Sequence, residues 1–147
     1  MPVLTTQISP VGPVVPLAVF VSAPRALALK AANLPVPGPQ IVRALIDTGA
    51  TGTVIDAAVI QALGIAPTGQ VLIHTPSTGG TPHPCSQYDV VLAVLMGPSQ
   101  MHVISPAIPV IESNLAQQGI EALLGRDVLA GGALWYNGHG GTLSLAF

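Results

Sequence analysis

One stretch of the chain, residues 44–55, reads Ala44-Leu45-Ile46-Asp47-Thr48-Gly49-Ala50-Thr51-Gly52-Thr53-Val54-Ile55. It places a carboxylate, Asp47, after an apolar strand-like run and directly before a turn that glycine permits. A buried charge is costly unless it is hydrogen-bonded, paired or used in chemistry. Because the whole chain has only six acidic residues, an acid in its most apolar stretch predicts a catalytic residue. The plainer alternative is an aspartate that only forms a β-turn after a strand.

The composition indicates one domain, residues 1–147, and excludes a membrane span. The chain has 147 residues, of which 7% are charged, against roughly 25% in an average soluble domain. Its mean hydropathy is +0.66, yet no apolar stretch reaches the ~20 residues that a spanning helix needs. We therefore assign the excess apolar surface to a subunit interface or a binding groove. Residues 1–10 make a poor signal peptide because no basic residue precedes an apolar run, so the default expectation is a cytoplasmic location.

The charged and metal-binding side chains are too scattered to indicate nucleic acid, a metal or a cofactor. The four cations form no patch of the kind that binds phosphates; they are Arg25, Lys30, Arg43 and Arg126. Cys85 is the single cysteine, which excludes an internal disulfide and a thiolate cage for zinc. His74 and His83 could face each other across a hairpin, but the four histidines lack tight ligand spacing. We expect neither a metal nor a cofactor.

Sixteen glycines and fifteen prolines divide the chain into short pieces rich in Val, Ile, Leu and Thr, which predicts an all-β barrel or sandwich. Residues 23–40 hold four prolines and are predicted to be a long loop or insertion. Residues 56–63 are predicted to be a short helix, with Asp56 as N-cap and Gly64 just after its end. Strands are predicted over residues 14–21, 41–47, 53–55, 70–75, 83–95, 101–104, 108–111, 119–124, 133–136 and 142–147.

Three segments follow Asp47-Thr48-Gly49 in a characteristic order. A glycine-tipped hairpin spans residues 70–95, with Gln87-Tyr88-Asp89 on its second arm. Then come Ala122-Leu123-Leu124-Gly125-Arg126-Asp127-Val128-Leu129 and the final Thr142-Leu143-Ser144-Leu145-Ala146-Phe147. In this order they resemble the retropepsins, single-domain aspartic proteases of retroviruses with cellular and bacterial relatives. The resemblance covers about residues 14–147, and it implies a small closed or partly open barrel with one or two short helices.

The resemblance also implies a reaction and a stoichiometry. Amide hydrolysis without a metal or covalent intermediate needs a nucleophilic water and an electrophilic carbonyl, and two carboxylates sharing one proton supply both. The chain has one Asp-Thr-Gly, so the second carboxylate is expected from a second copy in a two-fold homodimer. We expect the terminal hairpin, residues 133–147, to hold this dimer, above all through residues 142–147, with a further contact around Thr48.

By resemblance, the neighbours of Asp47 receive roles. Thr48 would hydrogen-bond across the dimer axis, and the hairpin over 70–95 would be a flap that closes over an extended peptide. Residues expected to support the active site are Thr48, Gly49, Gly125 and Arg126. Residues expected to contact substrate are Gly49, Ala50, Thr51, Val54 and Leu123, together with Thr78, Gly79 and Gly80 at the flap tip.

Two residues depart from the family pattern. Thr51 stands where retroviral enzymes usually have an acid that pairs with the arginine, so Arg126 needs another partner, either Asp127 or a backbone carbonyl. Glu121 stands where the family often has an apolar pocket residue. The substrate preference of the viral enzymes therefore does not transfer to this chain.

Functions from different classes remain open at this stage. The first is an aspartic endopeptidase that cuts unstructured protein segments. The second is a catalytically weak peptide-binding or scaffold module on the same dimeric barrel, and the third is an enzyme whose activity waits for dimerisation or removal of an N-terminal segment. The intact Asp-Thr-Gly favours the first, because a pure binder does not need that acid in an apolar site.

Overall fold

The computed structural model of the chain describes residues 1–75 and 79–147. Within them, ten strands run over Val3–Gln7 (β1), Val14–Val21 (β2), Gln40–Ile46 (β3), Val54–Asp56 (β4), Gly69–Ile73 (β5), His83–Gly97 (β6), Gln100–Ser113 (β7), Ala122–Leu124 (β8), Ala133–Asn137 (β9) and Thr142–Ala146 (β10). The helices are Ala23–Ala31 (α1), Ala57–Leu63 (α2) and Arg126–Leu129 (α3), with a 3-10 turn over Ala116–Gln118. No helix among the described residues is long and apolar enough to cross a membrane.

Six strands close into a barrel in the order β2-β3-β8-β4-β7-β6, because β6 pairs with β7 on one side and with β2 on the other. β5 is added at the outer end of β6. A second sheet has the order β1-β10-β9. The all-β barrel predicted from the sequence is confirmed.

The two sheets share one apolar core. Alternate side chains of β2 point inward, so that Val15, Leu17 and Val19 are fully buried, as expected for strands with one face on a core. Leu143 and Leu145 of β10 are also fully buried and belong to the same cluster. Burial of these side chains therefore attaches the terminal sheet firmly to the barrel.

Helix α2 has both of its predicted end signals. The side chain of Asp56 accepts a hydrogen bond from the backbone N–H of Ala58, which is the bond of an N-cap residue. Gly64 ends the helix in the left-handed conformation, with φ of 60°, where a residue without Cβ is favoured. The local sequence was therefore sufficient to predict both ends of α2.

The prediction of a loop over residues 23–40 was wrong in its first half, where α1 lies. The Ser22 hydroxyl accepts from the N–H of Arg25 at 3.3 Å, and Pro24 lies in the first turn, where a missing N–H costs nothing. The proline count therefore marked a helix start as well as a loop. With α3 included, the described residues hold three α-helices rather than the one or two predicted.

Two strands also differ from prediction. Residues 101–104 and 108–111 were predicted as separate strands, but β7 is continuous from Gln100 to Ser113. Its register against β6 shifts between the pairs Leu92–Ser105 and Val90–Ile108, so Pro106 is accommodated at an irregularity instead of ending the strand. β1 was not predicted at all.

Asp56 supports a prediction about stability. It is buried, and Oδ1 accepts from Ala58 while Oδ2 accepts from the N–H groups of Leu115 at 2.7 Å and Ala116 at 3.0 Å. Burial raises the pKa of this carboxyl, but the three backbone bonds outweigh it and hold the pKa below its ordinary value of 3.8. We expect Asp56→Asn to lower the free energy of unfolding by about 1–2 kcal/mol at pH 7.

The sign of the pH dependence follows from the lowered pKa. Stability from Asp56 is present above the unfolded-state pKa and is lost as the pH falls through the folded-state pKa. Urea unfolding should therefore show a wild-type advantage that shrinks below about pH 4. Asp89→Asn is the matched control, because the Asp89 side chain makes no hydrogen bond within residues 1–75 and 79–147. A difference that stays constant through the acid range would contradict this account.

Candidate active site

Asp47 directly follows β3, and its carboxylate is held by its own loop. Oδ1 accepts hydrogen bonds from the backbone N–H of Gly49 at 2.9 Å and of Ala50 at 3.2 Å. The N–H of Asp47 donates to the carbonyl of Leu124 at 3.0 Å, which ties the residue to β8. The side chain is half-buried, and Oδ2 makes no hydrogen bond with the described part of the chain. One oxygen is thus fixed while the other is available for chemistry.

The loop after Asp47 rests on the turn after β8. β3 and β8 are parallel, with Ile46 opposite Leu124, so their carboxyl ends lie side by side. Gly125 is buried beneath the loop, and a Cβ on it would lie 2.6 Å from the carbonyl carbon and oxygen of Gly52. Only glycine fits at this close approach.

Backbone bonds fasten the same two segments. The N–H of Arg126 donates to the carbonyl of Ala50 at 3.0 Å, and the N–H of Asp127 donates to the carbonyl of Thr51 at 3.2 Å. Two main-chain hydrogen bonds therefore join the loop that carries Asp47 to the turn at residues 125–127. The predicted support residues Gly125 and Arg126 do lie beneath the loop.

A side-chain network around the buried Thr53 completes this contact. Thr53 is fully buried, and its hydroxyl donates to Asp127 Oδ1 at 2.8 Å while accepting from the N–H of Gly125 at 3.1 Å. The Thr53 N–H donates to Asp127 Oδ2 at 2.9 Å, and the N–H of Val128 donates to Oδ1 at 2.9 Å. Sequence reasoning did not single out Thr53. The available signal was a hydroxyl residue between an active-site turn and an apolar strand.

The Arg126 side chain has no side-chain partner among the described residues. Its guanidinium is exposed and makes no hydrogen bond or ion pair with residues 1–75 or 79–147. The suggestion that it pairs with Asp127 was wrong, because that carboxylate is taken by Thr53 and Val128. Arg126 supports the loop only through its backbone.

The expected substrate-contacting residues divide into two groups. Val54 and Leu123 are opposite each other across β4 and β8 and are half-buried, next to a loop in which Thr51 is exposed and Ala50 half-buried. Gly79 and Gly80 are exposed, with φ of 59° and 85°, and no described atom lies within 4 Å of a Cβ built on either. Thr78 lies outside the described residues. Their contacts with substrate stay predictions.

The Glu121 side chain is hydrogen-bonded to the backbone of β3 and does not line a pocket among the described residues. Its Oε2 accepts from the backbone N–H of Arg43 at 2.7 Å, and the Arg43 guanidinium donates to the carbonyl of Gly119 at 3.1 Å. This acid is therefore fastened against β3. Among the described residues, no group of three or more His, Cys, Asp or Glu side chains has a geometry that could hold a metal ion.

The Thr53 network yields a prediction. Thr53→Val removes the hydroxyl, leaves the buried N–H of Gly125 without its acceptor and takes one of two donors from Asp127 Oδ1, so we expect a loss of about 1–3 kcal/mol in unfolding free energy. Thr53→Ser keeps the hydroxyl and should recover part of that loss. Thr51→Val is the matched control, since this exposed side chain has no hydrogen bond among the described residues and should change stability by less than about 0.5 kcal/mol. Equal stabilities of the Thr53 and Thr51 variants in urea would contradict the assignment.

Comparison with known proteins shows the family of the chain. The sequence profile described as "Aspartyl protease" matches residues 34–128, a span that contains the Asp47 loop, the β5–β6 hairpin and the Gly125 turn. No curated protein matches the chain in sequence.

Solved structures are similar as well. The chain resembles the crystal structure of a retropepsin-like aspartic protease from Rickettsia conorii, with a TM-score of 0.56, 16% identity, and coverage of 99% of this chain and 90% of that chain. A foamy viral protease-reverse transcriptase, solved with an RNA/DNA hybrid, gives a TM-score of 0.48 and 18% identity over 85% of this chain and 12% of that chain.

The similarity to the Rickettsia conorii protein concerns the fold, and it confirms the predicted retropepsin-like barrel. The profile match covers more than half of the chain and includes the Asp-Thr-Gly at Asp47. The prediction of an aspartic endopeptidase is thereby confirmed: the chain belongs to the aspartyl protease family.

Proposed function

We propose that the chain is one protomer of a homodimeric endopeptidase in which two Asp47 carboxylates, one from each protomer, activate a water molecule. The observation that supports this proposal is the hydrogen bonding of the two Asp47 carboxylate oxygens. Oδ1 is fixed by two backbone N–H groups, and Oδ2 has no partner among the described residues. A single carboxylate cannot act as acid and base at the same time, so the site requires a second copy.

The chemistry follows from placing two carboxylates close together. Like charges about 3 Å apart cannot both ionise, so the pair shares one proton and titrates as a unit. The ionised partner takes a proton from water as its oxygen attacks the peptide carbonyl carbon, and the protonated partner donates to the carbonyl oxygen. Activity should therefore lie on the acidic side of neutral and fall as the shared proton is lost.

The neighbours of Asp47 fit this arrangement. Thr48 is exposed, and its hydroxyl makes no hydrogen bond within the described part of the protomer, so it is free to bond across the axis. Gly49 is exposed beside the carboxylate. A residue without Cβ there lets a substrate backbone approach closely.

Of the two outer strands of the terminal sheet, β1 and β9, we expect β9 to form the dimer contact. β10 pairs with β1 on one side and β9 on the other over its whole length, so residues 142–147, the segment first expected to form the contact, have no free backbone edge. Every residue of β9 is exposed, with Trp135 72% and Tyr136 57% accessible. An exposed apolar edge strand is a ready template for another chain. Antiparallel pairing of β9 with its copy satisfies two-fold symmetry.

The substrate class is an extended peptide. Residues 83–86 of β6 pair with β5 but lie beyond the ladder with β7, which begins at Gln87. The hairpin therefore projects from the barrel as an arm. Such an arm suits a lid that closes over an extended chain and excludes water.

Asp47→Asn tests the catalytic role. The variant should lower kcat/KM by about 10³-fold or more, because an amide cannot serve as acid or base. Cleavage of a library of unstructured peptides, read by mass spectrometry, measures this, with Asp89→Asn as the control that keeps activity. Equal cleavage by wild type and Asp47→Asn would leave only the binding or scaffold function. Wild-type activity that rose steadily above pH 8 would contradict the shared proton.

Trp135→Lys tests the β9 contact. A lysine on the edge should raise the dimer dissociation constant tenfold or more, because it removes a large apolar contact and places like charges together. Sedimentation velocity measures the mass, and specific activity should recover at higher protein concentration. Leu27→Lys is the matched control, since Leu27 is 68% exposed on α1. A wild-type dimer unaffected by Trp135→Lys would place the interface elsewhere.

A further inference from the structure

The turn that joins β9 to β10 consists mainly of glycine, and the proposed protease mechanism does not use it. It reads Gly138-His139-Gly140-Gly141 and follows Asn137, which is opposite Thr142 in the last pair of the two strands. Residues 137–140 are all exposed. The backbone directly after Asn137 is therefore open to water and bordered by little side-chain bulk.

The Asn137 side chain and the next backbone nitrogen are an electrophile and a nucleophile that are neighbours in the chain. Three carbon atoms of Asn137 separate its Cγ from the Gly138 nitrogen, so a bond between them closes a five-membered ring with the advantage of an intramolecular reaction. The N–H of Gly138 makes no hydrogen bond with the described residues, and residue 138 has no Cβ to obstruct the approach. The nucleophile is therefore neither engaged nor shielded.

The turn holds the carboxamide of Asn137 in a way that favours attack on Cγ. Its Oδ1 accepts a hydrogen bond from the backbone N–H of Gly140 at 2.8 Å. Negative charge develops on this oxygen as a nucleophile adds to Cγ, so a donor already in place stabilises the transition state. A Cβ on residue 140 would lie 2.6 Å from Asn137 Nδ2, which is why glycine is needed there. Nδ2 itself makes no hydrogen bond with the described residues and is free to leave.

The other two asparagines of the chain, Asn33 and Asn114, lack these features. Each is followed by leucine, whose branched side chain hinders the approach of its own nitrogen. Both leucine N–H groups are also engaged: one donates to the carbonyl of Leu29 at 2.9 Å, and the other donates to Asp56 Oδ2 at 2.7 Å. The reactive arrangement is therefore specific to Asn137.

We propose that Asn137 is a site of spontaneous deamidation, in which the chain modifies itself. The Gly138 nitrogen bonds to Asn137 Cγ and gives up its proton, the Cγ–Nδ2 bond breaks, and ammonia leaves with that proton. Water then opens the cyclic imide at either of its two C–N bonds. The products are aspartate, or isoaspartate in which the main chain runs through Cβ and Cγ. Overall, an amide and water become a carboxylic acid and ammonia, so no oxidant or further reactant is needed.

Either product changes the end of β9. Each adds one negative charge to a chain whose formal net charge is −2, and isoaspartate also adds one atom to the backbone at the pair of Asn137 with Thr142. A charge on an edge strand disfavours association with another strand, so deamidation weakens the pairing of β9 with its copy. This consequence rests on the proposed dimer, whereas the deamidation itself does not.

Mass spectrometry of ageing protein tests the modification. Full-length Asp47→Asn, which should not digest itself, is kept at neutral pH and sampled over time, and peptides covering the three asparagines are compared. The Asn137 peptide should gain about 1 Da, at least about tenfold faster than those of Asn33 and Asn114. Labelling by isoaspartyl methyltransferase should rise in parallel. Equal rates at the three sites, or no gain at Asn137, would overturn the proposal.

Two variants test the route. Gly138→Ala keeps the nitrogen but hinders it, so the mass gain should slow about tenfold or more. Alanine is tolerated there because φ of Gly138 lies outside the left-handed region, and its Cβ would lie 3.3 Å from Cε1 of the exposed Tyr136 ring, which can shift. Asn137→Gln should show no gain over the same period, because glutamine must close a larger ring. An unchanged rate in Gly138→Ala would contradict attack by this nitrogen.

Sedimentation velocity tests the effect on assembly. Fresh and aged wild type are compared with fresh and aged Asn137→Gln, and only aged wild type should show a dimer dissociation constant raised about threefold or more. Deamidation that leaves this constant unchanged would overturn the effect on assembly while the modification stands. If fresh protein forms no dimer, the proposed dimer fails together with this effect, and the mass measurement on the same sample decides the modification independently.

Discussion

The hydrogen-bonded contact between the loop after Asp47 and the turn at residues 125–127 is the constraint on which the site depends. The Asp127 carboxylate accepts from the Thr53 N–H, the Thr53 hydroxyl and the Val128 N–H. Thr53 is fully buried, and bonds to a charged acceptor are stronger and shorter than neutral ones. They fix the position of the loop, as the proposed acid–base chemistry of Asp47 requires.

The same contact accounts for the departure at Thr51. Where an acid at this position would pair with the arginine, this chain places a neutral hydroxyl residue that is exposed. The loop is held instead by Asp127 and by main-chain bonds from the turn to Ala50 and Thr51. Among the described residues, the Arg126 side chain therefore does not form the ion pair that the resemblance implied for it.

Elements with local signals were predictable from sequence, and those set by distant pairing were not. β2 was predicted with its observed bounds, and α2 was anticipated by Asp56 and Gly64. β1 was missed because its stabilising partner is β10 at the other end of the chain; Thr5, for instance, bonds Ser144. The acid Asp47 was predicted from its apolar setting. The support from Thr53 was not predicted, because it is the pairing of β8 with both β3 and β4 that brings residue 53 to residue 127.

The excess of apolar residues and the proposed pairing of two Asp47 carboxylates are both explained by the proposed dimer. In β10, Leu143 and Leu145 are buried in the core and both strand edges are paired, with β1 and with β9. The largest exposed apolar side chains of the terminal sheet, Trp135 and Tyr136, are those of β9. In the proposed dimer a single two-fold axis must run between the two Asp47 side chains and beside the two β9 strands. A peptide held between the protomers would then contact both of them and bind the monomer poorly. By mass action such a substrate strengthens the dimer, so assembly and catalysis would be one linked equilibrium rather than two separate properties.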